Sequence, residues 1–216
     1  MFDFKKYKHM SFDLWLTLVK SHPEYKMERA KLLRDFFNIS TSDEDILKTV
    51  KYYDNAVNKI NEVTGGNIMP FEIYSLILTK YGADFDTQKL NDFYLESEKL
   101  FLRYPPVLLD HFNEHFFEDA TNEGITLNIL SNTGFIKGST LMKFIETTFL
   151  KHYFDEYFFS DEYGMSKPNP EFFNVVRDYV DPKVLNHEIL HIGDNYNADV
   201  LGGKNAGFST FLVVNK

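Results

Sequence analysis

The second half of the chain alternates between strand and helix patterns, and this alternation constrains the fold more than any other feature. After Pro105-Pro106, short runs rich in aliphatic, aromatic and β-branched residues recur at 125–130, 156–159, 189–192 and 210–214. Stretches with helical spacing separate these runs, at 138–150, 170–180 and 198–206. Strands that alternate with helices favour a parallel sheet covered by helices on both faces. The sequence therefore predicts an α/β core.

The first hundred residues have a different pattern. A strand is predicted over residues 9–18, where Met10, Phe12 and Leu14 alternate with less apolar residues. From about residue 20 to residue 100 the apolar residues fall at helical spacing, and no stretch has a convincing strand pattern. We therefore expect a helical domain, residues 20–102, inserted into an α/β core formed by residues 1–19 and 103–216.

Polar residues follow the predicted strands where each strand ends. Asp13 lies near the end of the first, Ser131-Asn132-Thr133 follows the second, and Gly193-Asp194 follows a later one. Lys167 lies in a loop just past residues 156–159. Because ligands bind outside the carboxyl ends of the strands in such sheets, these side chains are expected to converge on one rim.

This set of residues suits phosphate chemistry. Carboxylates brought together repel one another unless a cation lies between them, and an all-oxygen set selects a hard ion such as Mg²⁺. Asp13 and Asp194 are the expected direct ligands. Lys167, Ser131 and Asn132 supply charge and hydrogen-bond donors for a phosphate. An aspartate beside the metal can attack phosphorus and form an acyl-phosphate.

The same residues lie in four longer segments. These are Phe12-Asp13-Leu14-Trp15-Leu16-Thr17-Leu18, Leu130-Ser131-Asn132-Thr133, Ser160-Asp161-Glu162-Tyr163-Gly164-Met165-Ser166-Lys167-Pro168-Asn169-Pro170 and His191-Ile192-Gly193-Asp194-Asn195-Tyr196-Asn197-Ala198-Asp199. In order and spacing they resemble the four motifs of the haloacid dehalogenase-like (HAD) hydrolase superfamily. The helical insert resembles the cap domain of its haloacid dehalogenase and phosphoglycolate phosphatase branch. The resemblance implies a hydrolase with a Rossmann-like parallel sheet core and an inserted helical cap.

The resemblance also implies a role for each matching residue. Asp13 would be the nucleophile and a Mg²⁺ ligand, and Lys167 would neutralise the nucleophile and the phosphoryl oxygens. Asp194 would bind the metal, and Asp199 would support it directly or through water. The remaining predicted site residues are the phosphoryl-positioning Thr17, Ser131 and Asn132, and Trp15, whose main-chain carbonyl would be a further metal ligand.

Trp15 departs from the phosphatase pattern, in which the residue two positions after the nucleophile is usually a second Asp that serves as acid and base. An indole cannot exchange that proton at neutral pH. The dehalogenase branch lacks this Asp too, but it needs no Mg²⁺ and is not expected to keep the segment from Gly193-Asp194 to Asp199. Losing a general acid/base typically costs about 10²–10⁴-fold, whereas losing the metal acid removes the electrostatic basis of phosphoryl transfer.

Three functions therefore stay open. The first is a Mg²⁺-dependent phosphatase acting on a small phosphorylated metabolite through an aspartyl-phosphate, slowed by Trp15. The second is a metal-independent 2-haloacid dehalogenase in which Trp15 forms part of an apolar halide pocket. The third is a catalytically crippled protein that binds a phosphometabolite or a protein partner.

Charge and composition exclude several other classes. The formal net charge is −9, which opposes binding to a nucleic-acid backbone. The absence of cysteine excludes disulfides and thiolate chemistry. No run approaches the roughly 18 apolar residues that span a bilayer, and the amino terminus does not resemble a secretory signal. We therefore expect a cytoplasmic protein whose partner is a small phosphorylated molecule, with its oligomeric state left open.

Overall fold

The computed structural model describes residues 4–214, and a parallel sheet lies at its centre. The strands are β1 His9–Phe12, β2 Val19–Lys20, β3 Val107–Leu108, β4 Thr126–Ser131, β5 Glu156–Phe159, β6 Ile189–Gly193 and β7 Ser209–Leu212. Five of them form one sheet in the order β5-β4-β1-β6-β7, and every neighbouring pair is parallel. The predicted parallel α/β core is confirmed, with β1 at its centre.

Helices cover both faces of this sheet. They are α1 Tyr25–Phe37, α2 Asp43–Thr64, α3 Pro70–Lys80, α4 Thr87–Arg103, α5 Glu114–Asn122, α6 Gly138–Ile145, α7 Ser160–Tyr163, α8 Pro170–Tyr179 and α9 Gly202–Asn205. On one face Phe12 and Leu127 pack with Phe117 of α5. On the other face Leu130 packs with Phe172 of α8. Alternate residues of the strands supply the two faces, as the pleat requires.

Helices α1–α4 form the predicted helical insertion, with an apolar cluster of their own around Leu33, Ile46 and Tyr74. Local signals set their ends. The Ser42 hydroxyl accepts the Asp45 N–H at the start of α2, and Gly65 takes a left-handed conformation (φ 70°) where α2 stops. The short antiparallel pair β2–β3 joins the chain entering the insertion to the chain leaving it.

The first strand is shorter than predicted. It ends at Phe12, not near residue 18, because the chain then folds into a tight turn. The N–H groups of Leu18 and Val19 both donate to the Leu14 carbonyl, and Leu16 has a left-handed backbone (φ 59°). An alternating apolar pattern does not distinguish a strand from such a turn when the turn is also buried.

Two helices also differ from the predicted bounds. The helix expected over 138–150 ends at Ile145. The carbonyls of Phe144 and Ile145 accept both the N–H and the hydroxyl of the residue three positions on, Thr147 and Thr148, so the α-helical pattern of bonds four residues apart stops there. The helix expected over 198–206 begins with a π-helical turn at Tyr196–Leu201. Such wide turns are frequent at functional sites.

None of the helices within residues 4–214 combines the length and the apolar character needed to cross a bilayer. Helix α4 runs to Arg103, one residue beyond the predicted end of the inserted domain. The division into a core of 1–19 and 103–216 and a cap of 20–102 stays a prediction.

Candidate active site

Asp13 lies at the carboxyl edge of the central strand. Its N–H continues the β ladder by donating to the Ile192 carbonyl (2.8 Å), and its carboxyl is buried above the sheet edge. One carboxyl oxygen accepts the Lys167 ammonium at 2.9 Å and the other accepts the Thr17 hydroxyl at 3.2 Å. The turn after β1 returns Thr17 to a position beside Asp13. The carboxyl is therefore held from both sides.

Lys167 links two carboxylates. Its Nζ lies 2.9 Å from Asp13 and 2.7 Å from Asp199, and the side chain is only 1% exposed. Asn132 fixes its backbone from both directions: the amide oxygen accepts the Lys167 N–H (2.8 Å), and the amide nitrogen donates to the Lys167 carbonyl (3.0 Å). An ammonium this deeply buried requires such paired anions, since charges are costly to desolvate.

Asp199 is reached by three donors. The Lys167 ammonium and the His191 Nε2 (3.0 Å) bind one carboxyl oxygen, and the Asn195 N–H (2.9 Å) binds the other. The His191 Nδ1 lies 3.1 Å from the Ser11 hydroxyl. Gly193 is required here, because a Cβ at that position would lie 2.1 Å from the Asp199 carboxyl carbon. The glycine predicted at the end of β6 therefore makes room for this carboxylate.

Three carboxylates meet at this edge. Asp13, Asp194 and Asp199 each offer an oxygen within 4.8 Å of the others. Among the lysine and arginine side chains of residues 4–214, only Lys167 is hydrogen-bonded to these carboxylates. A cluster of oxygen donors with excess negative charge is the kind of set that holds a hard divalent cation.

The pKa values of the carboxyls in this cluster shift in opposite directions. Burial raises the pKa of Asp13 to about 7, although Lys167 opposes the rise. Burial also raises the pKa of Asp194 to about 6, and repulsion from Asp199 adds to it. Burial would raise the pKa of Asp199 as well, but Lys167 and His191 hold it well below its usual range. A divalent cation against Asp13 and Asp194 would favour their ionised forms.

A cavity of about 340 Å³ opens above this edge. Asp13, Trp15, Asn132, Lys167, Asp194 and Asp199 line it from the core, while α1 and α2 contribute residues such as Arg29 and Asp54 from the cap. The Trp15 indole is half-buried and packs edge-on against Phe101 of α4 (ring centroids 6.3 Å apart). The indole thus contacts both the cap and the cavity.

Most of the predicted site residues meet at this edge, but not all of them line the cavity. Asp13, Thr17, Asn132, Lys167, Asp194 and Asp199 form the rim just described. Ser131 ends β4 as predicted, but its hydroxyl donates to the Asn132 carbonyl (3.3 Å), and neither Ser131 nor Thr17 is among the residues of 4–214 that line the cavity. The roles assigned to these seven residues and to Trp15 stay predictions.

Sequence reasoning missed the contacts between the cap and the loop that carries Lys167. The Asn67 amide oxygen, between α2 and α3, accepts hydroxyl hydrogen bonds from Ser160 (2.7 Å) and Ser166 (3.1 Å). The Ser166 N–H donates to the Gly65 carbonyl, immediately before Lys167. The sequence Thr64-Gly65-Gly66-Asn67 indicates only a turn, and no local pattern reveals what a turn will contact.

His191 was also missed, although it had a signal. It is the one polar side chain in a strand whose every residue is buried. A polar residue in a buried strand indicates a specific partner. That partner proves to be Asp199.

Comparison with known proteins identifies the family. The sequence model of the haloacid dehalogenase-like hydrolase family matches residues 7–207. The chain belongs to the haloacid dehalogenase-like hydrolase family. The solved structure of the HAD-hydrolase YfnB from Bacillus subtilis, bound to magnesium, shares the fold at a TM-score of 0.70 and 24% identity, covering 96% of this chain and 88% of that one.

Two curated relatives in this family are similar over part of their length. Glyceraldehyde 3-phosphate phosphatase from Methanothermobacter thermautotrophicus is 33% identical over 97 residues, which is 44% of this chain and 40% of that protein. Pyrimidine 5′-nucleotidase YjjG from Escherichia coli is 39% identical over 69 residues, 31% of this chain and 29% of that protein. The matched stretches therefore span less than half of either relative.

Proposed function

We propose that the protein is a Mg²⁺-dependent phosphatase of small phosphorylated metabolites that works through an aspartyl-phosphate on Asp13. The observation that carries the proposal is the buried Asp13 carboxyl, held by Lys167 and Thr17, with oxygens of Asp194 and Asp199 within 4.8 Å. An attacking carboxylate, a fixed cation and a set of metal-type ligands are the parts that phosphoryl transfer requires.

The donor set fits Mg²⁺. Asp13, Asp194, Asp199 and the Trp15 carbonyl are oxygen donors that would hold it, and Mg²⁺ commonly completes its shell with water and substrate phosphate. Bound there, the ion would neutralise phosphoryl oxygens and favour the ionised form of the carboxylates. One relative with this fold is bound to magnesium, which supports the assignment.

The chain's own residues account for the bond changes. A carboxylate oxygen of Asp13 attacks phosphorus, the P–O bond to the substrate's alcohol breaks, and the electron pair leaves with the alcohol oxygen. Lys167 stabilises the charge that gathers on the phosphoryl oxygens. Thr17 holds the other Asp13 oxygen by hydrogen bonding. Water then attacks the same phosphorus and gives its protons to the phosphate and to solvent, the P–O bond to Asp13 breaks, and phosphate leaves while the Asp13 carboxylate is regenerated.

Trp15 determines the rate of this scheme. Two residues after Asp13 there is no carboxyl to protonate the leaving oxygen or to activate the water, and the indole N–H does neither at neutral pH. Turnover is therefore slow, and fastest for esters whose leaving group needs no proton. The relatives' names support phosphate esters as the substrate class, since one is a phosphatase of glyceraldehyde 3-phosphate and the other a nucleotidase.

The experiment is a hydrolysis screen with and without Mg²⁺. Purified protein is given p-nitrophenyl phosphate, a panel of small phosphate esters and 2-chloropropionate, each with Mg²⁺ and with excess chelator. Phosphate release that requires Mg²⁺ is expected. Chloride release insensitive to chelator would establish the dehalogenase alternative, and tight phosphate binding without turnover on any ester would establish the binding protein.

A further inference from the structure

Arg29 lies on the cap side of the cavity and is almost entirely buried. It belongs to α1, is 7% exposed and contributes to the lining of the cavity above Asp13. Its guanidinium carbon lies 4.2 Å from the centre of the Phe135 ring and 5.3 Å from that of Tyr25. Cation–π contacts of this kind offset part of the cost of burying the charge, but they leave the N–H groups without acceptors.

The Arg29 guanidinium lacks an anionic partner. Its Nε is buried without a hydrogen bond, its polar neighbours are the neutral Tyr25 and Tyr74 hydroxyls, and Arg29 forms no ion pair with any residue of 4–214. Two other arginines of the chain are paired. Arg34, on the same helix, binds Asp35 and Asp43, and Arg177 donates to three backbone carbonyls. Within residues 4–214 the cap therefore places a buried cation on the cavity wall without a carboxylate to pair with it.

A buried guanidinium without an anionic partner is costly, so it indicates a ligand that supplies one. The fork of N–H groups matches carboxylate and phosphate oxygens, with which it forms charge-assisted bidentate bonds. At the core edge of the cavity, Lys167 already provides the cation for a transferred phosphoryl group. Arg29 is on a different element and is free to bind a different part of the same molecule.

Charges near Arg29 modulate this role. Asp54 of α2 lines the same wall, and burial raises the pKa of its carboxyl while Arg29 and Lys26 oppose the rise. Asp54 is not hydrogen-bonded to Arg29, so it weakens the local positive potential without occupying the guanidinium's donors. Glu62, also on this wall, accepts from the Asn195 amide (2.8 Å).

We infer that the substrate is a small phosphate ester carrying a second anionic group, remote from the scissile phosphate, which Arg29 binds from the cap. This inference rests on the proposed function and adds the substrate class. The second group is a carboxylate or a second phosphate, since both present the required pair of anionic oxygens. The volume of about 340 Å³ is at the small end of ligand pockets, which suits a short carbon chain between the two groups.

The test compares two non-hydrolysable ligands of equal length. In 4-phosphonobutyrate the terminal methyl group of n-butylphosphonate is replaced by a carboxylate. Trp15 is the single tryptophan of the chain and lines the cavity, so its fluorescence reports binding in the presence of Mg²⁺. The carboxylate ligand is expected to bind about 10- to 100-fold more tightly, the size of a charge-assisted pair in a partly desolvated site. Propane-1,3-bisphosphonate in the same assay distinguishes a second phosphate from a carboxylate.

Variants test whether Arg29 causes the preference for the carboxylate ligand. Arg29→Met should reduce it to within about 3-fold while leaving n-butylphosphonate binding nearly unchanged, because only the charge-assisted pair is lost. Arg34→Met, on the same helix but outside the cavity, should keep the full preference. Asp54→Asn should increase it, because a repelling charge is removed; this variant tests the inference even if Arg29→Met fails to fold.

Three results would overturn the inference: equal binding of both ligands by the unaltered protein, no binding of either, or a folded Arg29→Met protein that keeps the full preference. Because binding of phosphonates needs no turnover, the readout is independent of catalysis. A protein that keeps the preference but hydrolyses no ester would refute the proposed phosphatase and leave the Arg29 site standing.

Discussion

The polar groups on the two walls of the cavity differ greatly in how many hydrogen bonds and ion pairs they form within the protein. At the core edge, Asp13 accepts from two side chains, Asp199 accepts from three donors, and the Lys167 ammonium binds both carboxylates. On the cap wall, the Arg29 Nε is buried without a hydrogen bond and the guanidinium has no anionic partner. Asp13, Lys167 and Asp199 are thus paired within the protein, whereas the buried charge of Arg29 is not.

This contrast matches a general difference between groups that carry out a reaction and groups that select the substrate. Groups that act on a bond must be held in position in advance, so their hydrogen bonds are made within the protein. Groups that choose a substrate gain most when the substrate alone satisfies them, because the wrong molecule then leaves a buried donor unpaired. Under the proposed function, the rim would meet the first requirement and the cap wall the second, and each can be tested separately.

The largest expected effect comes from removing the proposed nucleophile at the core edge. Asp13→Asn should lower hydrolysis of p-nitrophenyl phosphate by about 10⁴-fold or more, because an amide oxygen cannot form the acyl-phosphate. The melting temperature is measured alongside to show that the variant is folded, because Lys167 keeps Asp199 but loses the Asp13 carboxylate. Retention of more than about one hundredth of the activity would exclude Asp13 as the nucleophile.

The next effect tests how far the core edge depends on its one ammonium. Lys167→Met leaves two buried carboxylates without their cation, which typically costs about 3–5 kcal/mol. The melting temperature should fall by roughly 10 °C, and Mg²⁺ should restore part of it. The control is Lys204→Met, an exposed lysine of α9, which should change the melting temperature little. Equal melting of the two variants would contradict the account of Lys167.

Trp15 lies between the two walls. Its replacement tests whether the lack of a general acid at this position limits the rate. Trp15→Asp should raise hydrolysis of simple alkyl phosphates by about 10- to 100-fold, and that of p-nitrophenyl phosphate much less, because only the alkyl leaving group needs a proton. Trp15→Asn is the matched variant without a titratable proton. If the asparagine variant is as active as the aspartate variant, the gain comes from cavity shape and not from acid catalysis.

A smaller effect is expected from pH in the metal-free protein. The pKa of Asp13 is about 7 in the folded protein, above its ordinary value of 3.8, so the folded state binds this proton more strongly between about pH 4 and pH 7. Stability therefore falls as pH rises through that window, by on the order of 5 °C in melting temperature. Thermal scans in chelator should show this fall, and Asp13→Asn should show less of it. Added Mg²⁺ should stabilise most at the high end; a metal-free protein that gains stability from pH 5 to pH 7.5 would contradict the assignment.

The smallest effect concerns the contact that joins the two walls. Asn67→Ala removes the oxygen that accepts the Ser160 and Ser166 hydroxyls, which should cost about 1–2 kcal/mol. Chemical denaturation should detect this loss, while Asn55→Ala on the exposed face of α2 should be nearly neutral. An equal response of both variants would show that the Asn67 contact does not stabilise the fold.

The core edge was predictable from sequence because one rule brings its residues together. The ends of parallel strands meet at a single edge, so Asp13, Asn132 and Asp194 had to converge once the strands were recognised. Lys167 followed because its loop begins just past β5. The first strand was predicted too long, since the buried turn after Phe12 keeps the same apolar alternation.

The cap wall was not predictable in the same way. Arg29 lies among apolar residues at helical spacing, where a charged side chain indicates a solvent-facing position. Its burial depends on how α1 packs against Phe135 of the core, 106 positions along the chain, and no local pattern encodes that contact. The same holds for Asn67, whose partners are in the loop that carries Lys167.

The central claim is that Asp13 takes the phosphoryl group from the substrate, and it can be observed directly. Because Trp15 cannot activate water, hydrolysis of the acyl-phosphate should be slow and the intermediate should accumulate. Protein mixed with p-nitrophenyl phosphate and Mg²⁺, quenched in acid and mapped by peptide mass spectrometry, should carry a phosphoryl group on Asp13. The modification should disappear in chelator and in Asp13→Asn. Steady phosphate release with Asp13 unmodified at every quench time, or a phosphoryl group on another residue, would contradict the account.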